Sequence, residues 1–197
     1  RKKTVITVAV SLILLLFLAC FGFYWDSREK DWTTSTGSTF VMDTFVDQKF
    51  SGKQSGLAVE KINELLKNFE NRFSAYVSSS EISRINQNAG LSYIQVSEET
   101  FDFLKTAKEY CKRSQGLFDI TIGPLVDLWD ITGENPRVPD EREIQSVLKR
   151  VNYEDLLLRE EDHSVMLRQE GQKLNLGGMA KGTAGALAIE TAKSYGV

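Results

Sequence analysis

Between Ser38 and Lys49 the apolar side chains Phe40, Met42 and Val46 alternate with other residues, which predicts a half-buried strand. The period then changes. After the punctuation of Gly52 to Ser55, the residues Leu57, Ile62, Leu65, Leu66, Phe69 and Phe73 recur at helical spacing, with Glu60, Lys61, Glu64 and Lys67 on the opposite face. Ser80 caps a short helix through Glu81, Ile82 and Ile85, and Tyr93 to Val96 reads as a short strand. Ser97 with Glu98 and Glu99 starts another helix, and Gly116 stops it. Pro124 suits the first turn of a helix through Leu128 and Trp129, and Asp140 with Glu143 predicts a capping box on a helix ending near Val151. Leu156–Arg159, Val165–Arg168 and Lys173–Leu176 read as strands, the last two joined across Glu170-Gly171. A final helix runs from Gly177-Gly178 to about Tyr195.

Helices and strands interleave without strict βαβ regularity, so the expected class is α/β of the mixed α+β kind, with antiparallel pairs. A helix stopping at Gly196-Val197 would feed another element, so residues 38–197 read as the amino-terminal part of a longer domain.

The opening of the chain follows a different rule. Arg1, Lys2 and Lys3 precede a run from Val5 to Tyr24 without a charged side chain, long enough to cross about 30 Å of hydrocarbon as a helix. The positive flank keeps that end cytoplasmic and delivers the rest outside. Residues 1–24 therefore read as a signal, membrane anchor or lipoprotein leader, with Leu18-Ala19-Cys20 making Cys20 a lipidation candidate. Residues 25–37, polar and rich in Ser and Thr, read as a tether.

Composition narrows the remaining classes. The 197 residues are 42% hydrophobic and 26% charged with a net charge of −3, which supports one ordinary core and gives no basic field for a nucleic acid. Cys20 and Cys111 sit in unlike settings and make no disulfide framework. His163, among Glu161, Asp162 and Ser164, lacks the partners of a zinc site or a catalytic triad and reads as a surface turn residue.

Three stretches could do chemistry. In Lys173-Leu174-Asn175-Leu176-Gly177-Gly178-Met179-Ala180-Lys181-Gly182 a strand ends in two glycines that lead into a helix, so free N–H groups and the positive end of a dipole could meet a phosphate. Carbonyls of such a turn could equally face a cation, and the spacing fits neither the P-loop nor the dinucleotide fingerprint. A plain tight turn with a solvated lysine stays open. Asp119, between Phe118 and Ile120, is either a ligand contact or a backbone cap, since a buried carboxylate needs donors. Tyr76 could stack on a flat heterocycle or simply cover the core.

Four blocks in order, Met42-Asp43-Thr44, Phe73 to Tyr76 with Ser80 to Asn86, Gly116 to Leu125, and Leu174 to Gly182, resemble the ApbE family of FAD:protein FMN transferases. The resemblance implies an ApbE-type fold related to the tunnelling fold, and transfer of FMN from FAD to a Ser or Thr of an acceptor flavoprotein with release of AMP. It implies FAD contacts at Met42, Tyr76, Leu117, Phe118, Asp119, Asn175 and Lys181. It also implies Mg2+ held in part by the backbone oxygen of Gly178, with the family's other ligands, an aspartate and a threonine, in a block later than Val197. Asp43 stands where glycine is commoner, and Thr183 and Gly185 stand where the family has Tyr and often Ala. An FAD pyrophosphatase or a non-catalytic flavin-binding lipoprotein could carry the same blocks.

Overall fold

The computed structural model describes residues 13–24, 32–131 and 133–197. Of the apolar run, residues 13–24 form helix α1, exposed along its length, while residues 5–12 lie outside the described residues. Among the described residues no helix is long and apolar enough to cross a membrane. Cys20 lies on α1 as an exposed thiol.

The chain falls into two compact units. In the first (Arg1–Thr39, Phe45–Asn63 and Ile189–Val197), strands β1 (Thr33–Val41) and β2 (Thr44–Gly52) form a two-stranded sheet against the start of helix α2 (Ser55–Phe73). One strand was expected here, and two are found. The turn between them is Met42-Asp43, with φ of 52° and 56°, the left-handed conformation that a two-residue hairpin turn demands. Glycine or asparagine usually signals such a turn, so the pattern runs on as though one strand continued.

The polar stretch 25–37 also needs correction from Thr33 onward, where β1 begins. Its hydroxyls have work there: Thr33 Oγ1 and Ser35 Oγ lie 3.0 and 2.9 Å from Ser55 Oγ, and Ser55 Oγ donates to Thr33 O at 3.0 Å. Gly37 belongs to the packing, because a Cβ there would stand 2.4 Å from Val59 Cγ1. Residues 25–31 lie outside the described residues.

The second unit (Phe40–Thr44 and Glu64–Ala188) holds most of the core. The part of α2 that belongs to this unit buries Leu66, Phe69 and Phe73; in the first unit the same helix buries Ala58 and Ile62 and leaves Leu57 43% exposed. Phe69, Phe73 and Phe103 form an aromatic cluster with centroids 4.5 to 6.0 Å apart. Helices α3 (Glu81–Gln87) and α4 (Glu98–Arg113) carry the expected caps, Ser80 accepting from Ser83 N and Ser97 from Thr100 N. Glu81 ties the two together, accepting from Ser97 N at 2.8 Å, from Ser97 Oγ at 2.7 Å and from Thr100 Oγ1. Partial burial works against the charge of Glu81, but the Thr100 and Ser97 donors and the Arg72 cation outweigh it and hold the carboxyl below its ordinary value.

Strands β3 (Ile94–Gln95), β4 (Leu156–Arg159) and β5 (Ser164–Leu167) form an antiparallel sheet in the order β3-β5-β4. Val165 is its centre, opposite both Ile94 and Leu158. His163 makes the β4–β5 turn at φ 49°, its ring 5.2 Å from that of Phe101. Helices α5 (Gly123–Trp129) and α6 (Glu141–Leu148) follow the predicted punctuation, α6 with the Asp140/Glu143 capping box. Helix α7 (Gly177–Ser194) closes the described order. The mixed α+β class therefore holds.

The expected hairpin of Val165–Arg168 with Lys173–Leu176 does not form. Residue 173 makes only an isolated parallel bridge with Ile122, so 173–176 is an extended run without a strand partner. Gln172 explains the break. Buried at 1% exposure, its amide accepts from Gln169 N at 3.0 Å and donates to Asp155 Oδ2 at 3.1 Å, closing the turn on itself.

Candidate functional site

The extended run 173–176 delivers the chain to the first turn of α7. Lys173 O accepts from Gly123 N at 3.1 Å and Asn175 N donates to Ile120 O at 2.8 Å, which ties one edge of the run to the loop before α5. Asn86 takes the other edge, its Oδ1 accepting from Leu174 N at 2.7 Å and its Nδ2 donating to Leu174 O at 3.1 Å. At the helix start, Asn175 Oδ1 accepts from Gly177 N at 2.9 Å, while Leu176 O accepts from Met179 N and Ala180 N. The Gly178 N–H is then the first-turn donor that makes no hydrogen bond among the described residues. Gly178 packs closely: a Cβ there would lie 2.9 Å from Phe118 Cε2. Lys181, one turn in, is exposed and makes no ion pair among the described residues.

Tyr76 faces this run. Its loop is organised by Ser74, whose Oγ accepts from Tyr76 N at 3.1 Å and Val77 N at 3.3 Å, and whose carbonyl accepts from Ser80 Oγ at 2.5 Å. The ring is 58% exposed, so it does not cover core. Its hydroxyl accepts from Asn175 Nδ2 at 3.4 Å, and Lys173 Nζ stands 5.5 Å from the ring centroid, a cation–π distance. Lys173 is held in turn by Asp127, 2.7 Å from both carboxylate oxygens. Lys173 and Asp127 carry no signal of their own in the sequence, since they are 46 positions apart and meet only through the fold.

Asp119 builds its own loop. Oδ1 accepts from Thr121 N at 2.7 Å and Thr121 Oγ1 at 2.6 Å, and Oδ2 accepts from Tyr153 N at 2.9 Å. Beneath it lies Cys111, whose thiol is pushed up by burial and, to a smaller degree, by the Asp119 charge. The loop thus presents outward the side chain of Leu117, 94% exposed, with Phe118 half-buried against Gly178.

Met42 occupies the first left-handed position of the β1–β2 turn, where a bulky residue is costly, and its N–H donates to Glu70 Oε1 at 2.7 Å. Strain retained at such a residue marks a position of interest. Glu70 escaped the sequence reading because it stands beside Phe69 on a helix whose apolar stripe dominates the pattern.

To a magnesium ion the same residues offer few ligands. Among those described, no three His, Cys, Asp or Glu side chains could share a metal ion. Gly178 contributes one backbone oxygen at most, and a hard divalent cation takes about six oxygen ligands, so these residues do not fit a complete site.

The ApbE family model matches residues 42–197. An FAD:protein FMN transferase of Klebsiella pneumoniae is 33% identical over 145 residues, covering 74% of this chain and 46% of that protein. A second protein of that name, from Treponema pallidum, is 31% identical over 130 residues, covering 64% of this chain and 36% of its own length. The crystal structure of an ApbE protein from Thermotoga maritima aligns with a TM-score of 0.78 at 32% identity, over 83% of this chain and 53% of that one. The fold is also that of the flavin transferase ApbE from Vibrio cholerae, TM-score 0.75 at 24% identity, over 84% of this chain and 55% of that one. The chain thus spans about half the length of these relatives or less. The four blocks fall inside the matched residues, and the last three of them meet around the first turn of α7 in the second unit: the chain belongs to the ApbE family.

Proposed function

We propose that the protein moves FMN from FAD to a Ser or Thr hydroxyl of an acceptor flavoprotein. The observation that carries this reading is the meeting of Tyr76, Lys173 and Asn175 beside the first turn of α7, where the Gly178 N–H makes no hydrogen bond among the described residues. An exposed aromatic ring suits the isoalloxazine, and a glycine turn at the positive end of an 18-residue helix suits the pyrophosphate. Lys181 adds a cation on the first turns of the same helix. The acceptor oxygen bonds to the FMN-side phosphorus as the bond to the AMP phosphate breaks, so AMP is the leaving group.

Met42, Leu117, Phe118, Asp119, Asn175 and Lys181 are assigned as flavin contacts with Tyr76. Mg2+ is included with Gly178 as one backbone ligand, and no step is assigned to the metal. The domain works on the extracytoplasmic side, tethered by the segment before residue 25 or by a lipid on Cys20. The exposed, uncharged side chains of residues 13–24 support that tether, and the uncharged run from Val5 to Tyr24 is long enough for roughly 30 Å of hydrocarbon as a helix.

The test is intact-protein mass spectrometry of a candidate acceptor after incubation with FAD and Mg2+. A gain equal to FMN on a Ser or Thr, with AMP released, is expected. Free FMN and AMP formed equally well without acceptor would identify a pyrophosphatase. FAD bound but intact after long incubation would identify a flavin-binding lipoprotein.

A further inference from the structure

The geometry points to Asn86 as a positioning residue for the flavin site, acting through Leu174. This inference rests on the flavin reading above for its function but not for its geometry. In the extended run 173–176, backbone groups of 173 and 175 face the loop before α5, and those of 174 face away from it. A neighbouring strand would normally pair with Leu174. Asn86 does so instead, offering one acceptor and one donor from a single primary amide, at 2.7 and 3.1 Å, across 88 positions of sequence.

The consequence lies on either side of Leu174. Its own side chain is fully buried, while Lys173 and Asn175, pointing the other way, both reach the Tyr76 side chain. Gripping the middle residue fixes both neighbours at once. Asn175 is also the residue that caps Gly177 N, so the same grip sets the start of α7. Asn86 is held in place in turn, because it lies on α3, whose start is locked by Ser80 and Glu81.

The residue type is specific. Aspartate keeps the acceptor for Leu174 N–H but loses the donor to Leu174 O, and alanine loses both. Hydrogen exchange followed by mass spectrometry, with an FAD titration on the same samples, separates the possibilities. Asn86→Ala is expected to speed exchange across 173–180 by on the order of tenfold, to weaken FAD by a similar factor, and to leave α4 protected. Asn86→Asp should lie between Ala and wild type in both readouts, and serves alone if Asn86→Ala does not fold. Unchanged exchange at 173–180 in a folded variant would overturn the clamp. Loosened exchange with unaltered FAD affinity would overturn its role in the site. Failure of the wild-type chain to bind FAD would sink the flavin reading itself, and the exchange pattern would still decide whether Asn86 orders the run.

Discussion

The loop around Asp119 and the turn into α7 pack against each other through Phe118 and Gly178, yet they use their polar groups in opposite ways. In the first, both carboxylate oxygens are engaged by Thr121 and Tyr153, and what the loop shows outward is Leu117. In the second, the Gly178 N–H and the Lys181 ammonium make no hydrogen bond or ion pair among the described residues. One loop is built by its charge; the other leaves its charge exposed. Two positions implied by the same resemblance can therefore differ physically, one setting the shape of its loop and the other standing exposed without an ion pair among the described residues.

The largest expected effect tests the first half of that contrast. Asp119→Ala removes the acceptor of two backbone N–H groups and a hydroxyl, and should cost about 2–3 kcal/mol in denaturant unfolding without any ligand. An unchanged midpoint would mean that Asp119 serves ligand rather than loop. Glu81, also a carboxylate with three donors, supplies a control away from the site. Its folded pKa is lowered, so its stabilisation is present above the ordinary glutamate value and fades as pH falls through the folded one. The melting-temperature gap between wild type and Glu81→Gln should accordingly persist from neutral pH down to the ordinary glutamate value of 4.5 and close only as the pH is lowered further, through the folded value.

Lys181→Ala tests the second half. Stability should stay within about 0.5 kcal/mol, as for an exposed residue without an ion pair among the described residues, while FAD affinity falls on the order of tenfold. Equal loss in both measurements would remove the distinction between the two regions. The smallest effect is expected from Gly178→Ala, where the new methyl meets the edge of a half-buried ring that can yield. A cost below about 1 kcal/mol, with FAD binding more affected than stability, would place the turn on the ligand side of the contrast.

Much of this architecture was legible in the chain because it depends on local chemistry. The caps at Ser80, Ser97 and Asp140 and the stripe of α2 follow from residues within a few positions of one another. The β1–β2 turn escaped because Met42-Asp43 takes left-handed angles without a glycine, driven by the sheet rather than by propensity. Lys173–Leu176 has the composition of a strand, but its free edge is taken by a side chain from α3, which no periodicity reveals. Tyr76, Asn175 and Lys181 were flagged by their blocks. Lys173, Asp127 and Asn86 acquire meaning only once the fold brings them together.

The contrast between the two cysteines has a practical use. Cys20 is exposed on α1, whereas Cys111 is buried with its thiol pushed up, so a maleimide should modify one site per native chain and a second only after unfolding. A native protein that takes up none, and just one when denatured, would either carry a lipid on the Cys20 sulfur or have lost the leader with Cys20, and its mass separates the two. Labelling stoichiometry thus reports the state of the leader and the integrity of the core in one assay, without reference to flavin.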